Sequence, residues 1–479
     1  MFEKPYSQVL CELSSERYIL ESHDYSKPYL NKGKHNPFEL ILFFGRFMDQ
    51  LLPCSNKASY NGPCYNLRFL RNYLKLYPLA DTRAHLAIAI MSKKVKALDD
   101  WIRTEFRSIN TELEEMYFKK KQMSPDGGGK LATFLQKSGN NFIEPLLVEG
   151  NTDQGFENSF DVLGNVGLFM ASCRRHGITD PSREASSPLR AASTLAMHIA
   201  ASLGVVPRFT SSHLQTHNFA KNGTFKTFTA LEDERVFVEY NTRGVVNYIR
   251  CSDSLRQIVP LGVSHPVTFD CLKGAKNALE EVFRSNVSLA EQLNVGRFFY
   301  SVRPYYKPHK VGRLTFRGAN AGDFAGINLI DLLLGVCEAN DPYYSQLITE
   351  KLLFMPPTDQ VLLRDCLRHK SLMFNFLELA KSGVLSASVK KNLRMFLDVC
   401  DMHGKVATQH HDVFVNRFIQ HPAAAMDPDN IEDLTASGPP LAELVKSLAV
   451  LRDMRATTPP RDGVSTRYND ILFLKTAAS

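Results

Sequence analysis

Apolar residues recur at three- and four-residue spacing over 36–52, 66–78, 83–122 and 188–203, a pattern that predicts amphipathic helices. The same period returns over 270–293, 324–338, 342–353, 358–382 and 386–420, so most of the chain reads as helix. One stretch breaks the rhythm. TFKTFTAL (224–231) and RVFVEYN (235–241) alternate apolar and polar residues on either side of the polar EDE, and GVVNYIR (244–250) follows. Alternation of this kind predicts a small β meander inserted between helices. SPDGGGK (124–130) marks a loop after the first helical block, and AAAMDPDN, ASGPP and TTPPRDG break up the sequence beyond His421. The tail therefore reads as a loosely packed extension with one short helix near 440–455. The expected architecture is mostly α: an N-terminal helical domain at 1–148, a second helical domain at 149–425 with the β insertion at about 224–250, and a C-terminal extension at 426–479.

Composition narrows the class. With 479 residues, 44% of them hydrophobic and 22% charged, the chain can bury one large core or two moderate ones. The net charge of +7 is scattered, and the longest basic run is KKK at 119–121. A nucleic-acid partner is not expected from so diffuse a charge. No window of about 20 apolar residues exists, so no membrane span is expected. The N-terminus lacks the basic-then-apolar pattern of a signal peptide. Nine cysteines without a CxxC pair suit reduced, buried thiols, and with the absent signal they point to a cytoplasmic protein. HExxH, GxxxxGK[ST] and GxGxxG are all absent, which removes the common zinc-protease, phosphate-loop and dinucleotide readings.

Candidate chemistry concentrates in QHHDVFVNRF (409–418). On a regular helix, the face of His411 includes Gly404, Ala407 and Thr408 on preceding turns and Phe414, Val415 and Phe418 on following ones. One side is small and the other bulky and apolar, the asymmetry needed by a flat macrocycle held through a helical histidine. The face of His410 carries His403, Val406, Val413 and Arg417 and reads as a mixed surface. A metal site built from His403 and His410 lacks a third ligand, so one axial ligand to a haem is the simplest version if His411 binds metal. A core or interface histidine is the alternative that spacing leaves open.

Four further segments occur in a recognisable order: GRFFYSVRPYY (296–306), FRGANAGDFAGINLIDLLLG (316–335), FMPPTDQVLLRDC (354–366) and HDVFVNRFIQHPA (411–423). With GLFMAS (167–172), they give residues 165–425 a resemblance to the haem-dependent indoleamine/tryptophan 2,3-dioxygenase superfamily. The chain is most similar to the branch containing the PrnB-type monodechloroaminopyrrolnitrin synthases. The resemblance implies a helical domain holding haem b, with His411 as the proximal iron ligand and Gly318, Ala407 and Phe414 beside the cofactor. It puts Arg303 on the arginine that grips the substrate carboxylate, for which a planar, permanently charged bidentate donor is suited. Phe298 and Phe169 would line the distal pocket, Ser172 would sit above the iron with a catalytic role, and Ala319 and Asn320 would belong to a loop closing over the substrate. Tyr305, in RPYYKPHK, departs from the indoleamine dioxygenases and is a further candidate substrate contact.

These assignments imply an enzyme that takes dioxygen and an aromatic amino acid, tryptophan or a derivative, as a monomer or possible homodimer. The PrnB-type branch is associated with a rearrangement, so dioxygenation, monooxygenation and rearrangement all stay open. A haem-binding gas sensor or carrier is the alternative; it would use His411 but have no need of Arg303.

Overall fold

The computed structural model describes residues 93–120, 129–149, 155–424 and 441–479; the helices expected at 36–52 and 66–78 lie outside them. Five helices come first: α1 (Lys93–Arg103), α2 (Glu105–Lys120), α3 (Gly129–Glu149), α4 (Gly155–Arg175) and α5 (Arg190–Leu203). Their apolar stripes, from Leu98 and Phe106 to Leu163, Phe169 and Ile199, close on one another in a single core that also takes in Val302, Tyr305 and Ala319. The described residues, from Lys93 onward, belong to one compact unit.

The expected meander is replaced by a helix. Residues 224–231 are irregular, with a single bridge between Lys221 and Thr224, and Glu232–Leu261 forms α6. The acidic EDE, read as a turn, is the first turn of that helix, where negative charge complements the exposed N–H groups. Glu234 then folds back, its carboxylate accepting from the backbone N–H groups of Phe228 (2.7 Å) and Thr229 (2.6 Å). Packing outweighs the β preference of the Val-rich stretch: Val236, Val238 and Val245 are all buried along α6. The small antiparallel sheet lies elsewhere. Its strands, β1 (His309–Val311) and β2 (Leu314–Phe316), pair His309 with Phe316 and Val311 with Leu314 around a turn at Gly312, whose φ of 58° suits a residue without a side chain.

Beyond α6, the chain turns at Gly262 into α7 (Thr268–Gln292), and α8 (Ala325–Leu334), α9 (Pro342–Leu352), α10 (Pro357–Cys366) and α11 (Leu372–Ser382) follow the hairpin. The segment expected as one helix over 358–382 is broken between α10 and α11. Next, α12 (Ala387–Gln409) runs into a π-helical stretch, His410–Gln420. From Leu441 onward the tail is not loose. It forms two helices, α13 (Leu441–Arg455) and α14 (Tyr468–Ala478), whose Leu451, Met454, Ile471 and Leu474 join Leu255, Leu279, Leu333, Phe376 and Phe396 in a second core. The six cysteines among the described residues are buried and free, and no described helix is long and apolar enough to cross a membrane.

One polar knot ties this second core together. The buried Asp331 carboxylate of α8 accepts from His403 Nε2 of α12 (2.7 Å), Arg455 Nε and Nη2 of α13 (2.9 and 2.7 Å) and the Tyr344 hydroxyl of α9 (2.8 Å). Burial by itself raises a carboxylate's pKa, but Arg455 and His403 outweigh it and hold Asp331 well below the usual range. Asp331→Asn should leave the Arg455 charge buried without a counter-charge and cost about 3–5 kcal/mol in urea unfolding. Arg235→Ala, which removes exposed ion pairs to Glu232 and Glu239, should cost no more than about 1 kcal/mol in the same assay. A loss below about 1 kcal/mol for Asp331→Asn would show that the knot is not what joins these helices.

Candidate active site

The histidine helix begins at Ser386, whose side chain caps Val389 N, and keeps α-helical winding to Gln409. At His410 it loosens into eleven residues of π-helix, a rare winding that concentrates at functional sites. Its inward face is His411, Val415 and Phe418. His411 Nδ1 lies 3.0 Å from Asp412 Oδ1 and 3.2 Å from Arg452 Nη1, whereas Nε2 is buried with no partner. A carboxylate only accepts and a guanidinium only donates, so the two contacts call for opposite tautomers. With Nδ1–H donated to Asp412, Nε2 presents its lone pair inward, the arrangement a metal-binding histidine needs.

His410 differs. Its side chain has an accessible surface, yet burial first, then the charge of Arg455, lowers its pKa to about 4, with His411 and Lys351 adding to the effect. The mixed surface expected on its face is corrected in part, since His403 and Val406 are buried. The room expected before His411 is also partly filled: a Cβ on Gly404 would meet Ala456 Cα at 2.8 Å, so this glycine admits the end of α13. Ala407 and Thr408 stay half-buried, as does Phe414.

Segment 295–306 supplies the second group. Asn294 caps it by accepting from Arg297 N at 2.9 Å; Phe298–Val302 then forms a π turn and Arg303–Tyr306 a 3-10 turn, with Pro304 ending regular helix as its ring requires. Phe298 meets Phe237 and Phe418 (ring centroids 4.9 and 6.0 Å), Phe418 stacks with Phe414 (5.7 Å), and Phe414 reaches His410 (6.0 Å). Residues more than 100 positions apart thus share one aromatic cluster.

Arg303 stands out by its isolation. Of the five buried arginines among the described residues, Arg103, Arg175 and Arg455 pair with Asp99, Glu114 and Asp331, and Arg208 donates to three backbone carbonyls. Arg303 has only the Phe299 ring, 5.6 Å from its guanidinium carbon. Burial lowers its pKa to about 10, which leaves it charged at neutral pH. A buried charge without a counter-charge is costly, and an anionic ligand would relieve the cost.

The glycine loop is held at both ends. Arg317 grips Asp323 through two hydrogen bonds (2.8 and 3.0 Å), Asp323 also accepts from Asn320 N (2.9 Å), Ser211 Oγ donates to Asn320 O, and Lys351 Nζ donates to Gly322 O (3.2 Å). Gly318 and Ala319 are buried and Asn320 half-buried. Gly326 serves packing instead: a Cβ there would meet Tyr248 backbone at 3.2 Å, so its absence lets α8 approach α6.

The remaining residues lie toward the first core. Phe169 is fully buried, edge-on to Trp101 (6.3 Å) and against Gly139, where a Cβ would clash with its ring. Ser172 is buried one turn further along α4, and Tyr305 stacks on Phe228 at 4.4 Å. Lys351 and Arg455 were not legible as neighbours of the histidines: both lie on helices whose sequence distance from residue 410 carries no such signal.

A depressed histidine pKa has a definite sign. Between pH 6.5 and about 4 the unfolded chain takes up a proton at His410 that the folded chain refuses, so stability present above that window is lost as pH falls through it. His410→Gln should flatten this part of the stability–pH curve in thermal unfolding; an unchanged slope would show that His410 titrates normally.

Residues 92–478 match the family described as monodechloroaminopyrrolnitrin synthase PrnB, which extends the similarity well beyond 165–425 on both sides. No curated protein matches the chain. The family match covers nearly all of the described fold, including α1–α3 and the two C-terminal helices, and on that basis the chain belongs to the PrnB family of enzymes.

Proposed function

We propose that this chain is a haem-dependent oxygenase or oxidative-rearrangement enzyme acting on tryptophan or a tryptophan derivative. The observation that carries the reading is the buried, unpaired Arg303, on the same segment as the aromatic cluster that reaches the histidine helix. Family membership supports the same chemistry. The residues suit a haem: His411 offers a buried Nε2 without a partner, and Phe414 and Phe298 supply apolar surface near it. When bound, the haem iron would supply the site at which dioxygen is activated.

The protein's own contribution is positioning. His411 would hold the iron from one side, with Asp412 fixing its tautomer through Nδ1. Arg303 would receive the substrate carboxylate as a bidentate ion pair and so fix the aromatic ring relative to the reacting centre. Phe298 and its ring neighbours would flank that ring and keep water out, while Ala319 and Asn320, on the braced glycine loop, would form a wall of fixed shape. Ser172, Phe169 and Tyr305 complete the proposed lining. Tryptophan added to the haem-loaded protein should shift the visible spectrum; uptake of haem without such a response would mark a carrier or sensor instead.

His411→Ala should abolish the haem spectrum and His410→Ala should retain most of it, because adjacent helical side chains point in different directions and of the two only His411 is buried, with its Nε2 unpartnered among the described residues. The reverse result would move the ligand to His410.

Arg303→Lys should keep fold and haem but weaken tryptophan binding, since an ammonium cannot make two parallel hydrogen bonds. Loss of one charge-assisted hydrogen bond, about 1.5–3 kcal/mol, corresponds to roughly 10- to 150-fold in affinity. Analogues without the carboxylate should bind both forms about equally. A fall in thermal stability and haem content, without preference among ligands, would make Arg303 structural.

A further inference from the structure

A second polar chain crosses the first core, and apart from Ser172 the roles assigned above leave it unused. Asn110 of α2, fully buried, directs Nδ2 to Phe228 O at 2.9 Å and to Ser172 Oγ at 3.0 Å. Its Oδ1 lies 2.7 Å from His176 Nε2, and His176 Nδ1 lies 3.2 Å from the Tyr117 hydroxyl. The amide has one workable orientation. Phe228 O is a carbonyl that can only accept, so the nitrogen of Asn110 must face it and the oxygen must face His176.

The rest of the chain follows from that choice. His176 must carry its proton on Nε2 in order to donate to Asn110. Burial, and after it the charge of Arg175, keeps the ring's pKa well below its ordinary value, so the ring is neutral and has one proton only. Nδ1 is then an acceptor, and Tyr117 is the donor to it. Each bond points the same way, from Tyr117 to His176, from His176 to Asn110 and from Asn110 to Ser172. Ser172 Oγ ends the series as an acceptor, and its own hydroxyl hydrogen donates to none of the described residues. The chain is firmly seated. Glu114 and Arg175 pair beside it at 2.6 and 2.9 Å, and Tyr305, two residues beyond Arg303, packs on both Phe228 (4.4 Å) and His176 (5.9 Å).

We propose that Asn110 is a positioning residue that holds Ser172 as an obligate hydrogen-bond donor toward an oxygen-bearing or anionic ligand in the active site. The proposal rests on the reading that Ser172 lines the open side of the haem. Sequence offers a faint signal for Asn110: with Phe106, Leu113 and Tyr117 it occupies an apolar stripe of α2, where a lone amide is out of place.

Fluoride binding to the ferric, haem-loaded full chain tests this, because bound fluoride accepts from a nearby donor and its affinity can be followed in the visible spectrum. Ser172→Ala should weaken fluoride binding about tenfold, the scale of one lost hydrogen bond to an anion. Asn110→Asp puts an acceptor in place of the amide nitrogen, draws the Ser172 hydroxyl hydrogen onto the new carboxylate and should weaken fluoride by the same factor. The double variant should show no further loss, because both changes remove one interaction. A drop for Ser172→Ala with none for Asn110→Asp would overturn the positioning role alone, and lower thermal stability without a change in fluoride affinity would make Asn110 structural. No change for Ser172→Ala would remove the serine from the site and take the proposal with it. Should Asn110→Asp fail to fold, the 15N imidazole resonances of His176 in the wild-type protein decide: a proton on Nε2 upholds the direction of the chain, and a proton on Nδ1 overturns it.

Discussion

Asp331 accepts hydrogen bonds from three other helices at a position closed to water. A carboxylate in that setting is tolerable only while Arg455 stays paired with it, which fixes α13 against α8 and α12. The consequence reaches the candidate site through helix geometry. His403 lies two turns before His410, so anchoring His403 sets the rotation of α12 as it enters its π stretch and sends His411, Val415 and Phe418 inward. The same ion pair holds the end of α13 where Arg452 meets His411 and where Ala456 fills the space left by Gly404. A tail read as a loose extension is in this way part of the frame that orients the histidines.

Charge is distributed through the interior with one exception. The other buried arginines among the described residues are matched by carboxylates or carbonyls, and the glycine loop is clamped by Arg317, Asp323 and Lys351. Arg303 is held by backbone geometry, a π turn followed by the 3-10 turn Arg303–Tyr306, with no anion among the described residues to satisfy it. Stability alone favours pairing such a group, so an unpaired one points to a ligand as its counter-charge. The aromatic cluster on the same segment is apolar and packed.

Helical period was legible where burial is one-sided. The apolar stripes of α5, α7, α9 and α12 appear in sequence because each packs one face on a core. Period failed at α6, where RVFVEYN alternates like a strand. Two local features decided otherwise: the acidic first turn and the long apolar contact with α7, both stronger than a β-branched residue's preference. The π winding after His410 was also invisible, because a wider turn leaves no mark in a sequence read at 3.6 residues per turn.

Sequence by itself determined the mostly helical class, the order of motifs that marks the family, and the residue types able to hold a haem and a carboxylate. It could do so because period, local capping and motif order are properties of neighbouring residues. Tertiary structure alone decided that, among the described residues, Arg303 has no counter-charge and His411 Nε2 is buried without a partner while His410 is exposed, and that Asn110 reaches Ser172 across 62 positions. Pairing, exposure and hydrogen-bond direction depend on what distant segments bring to the same few ångströms, and no spacing along the chain encodes that.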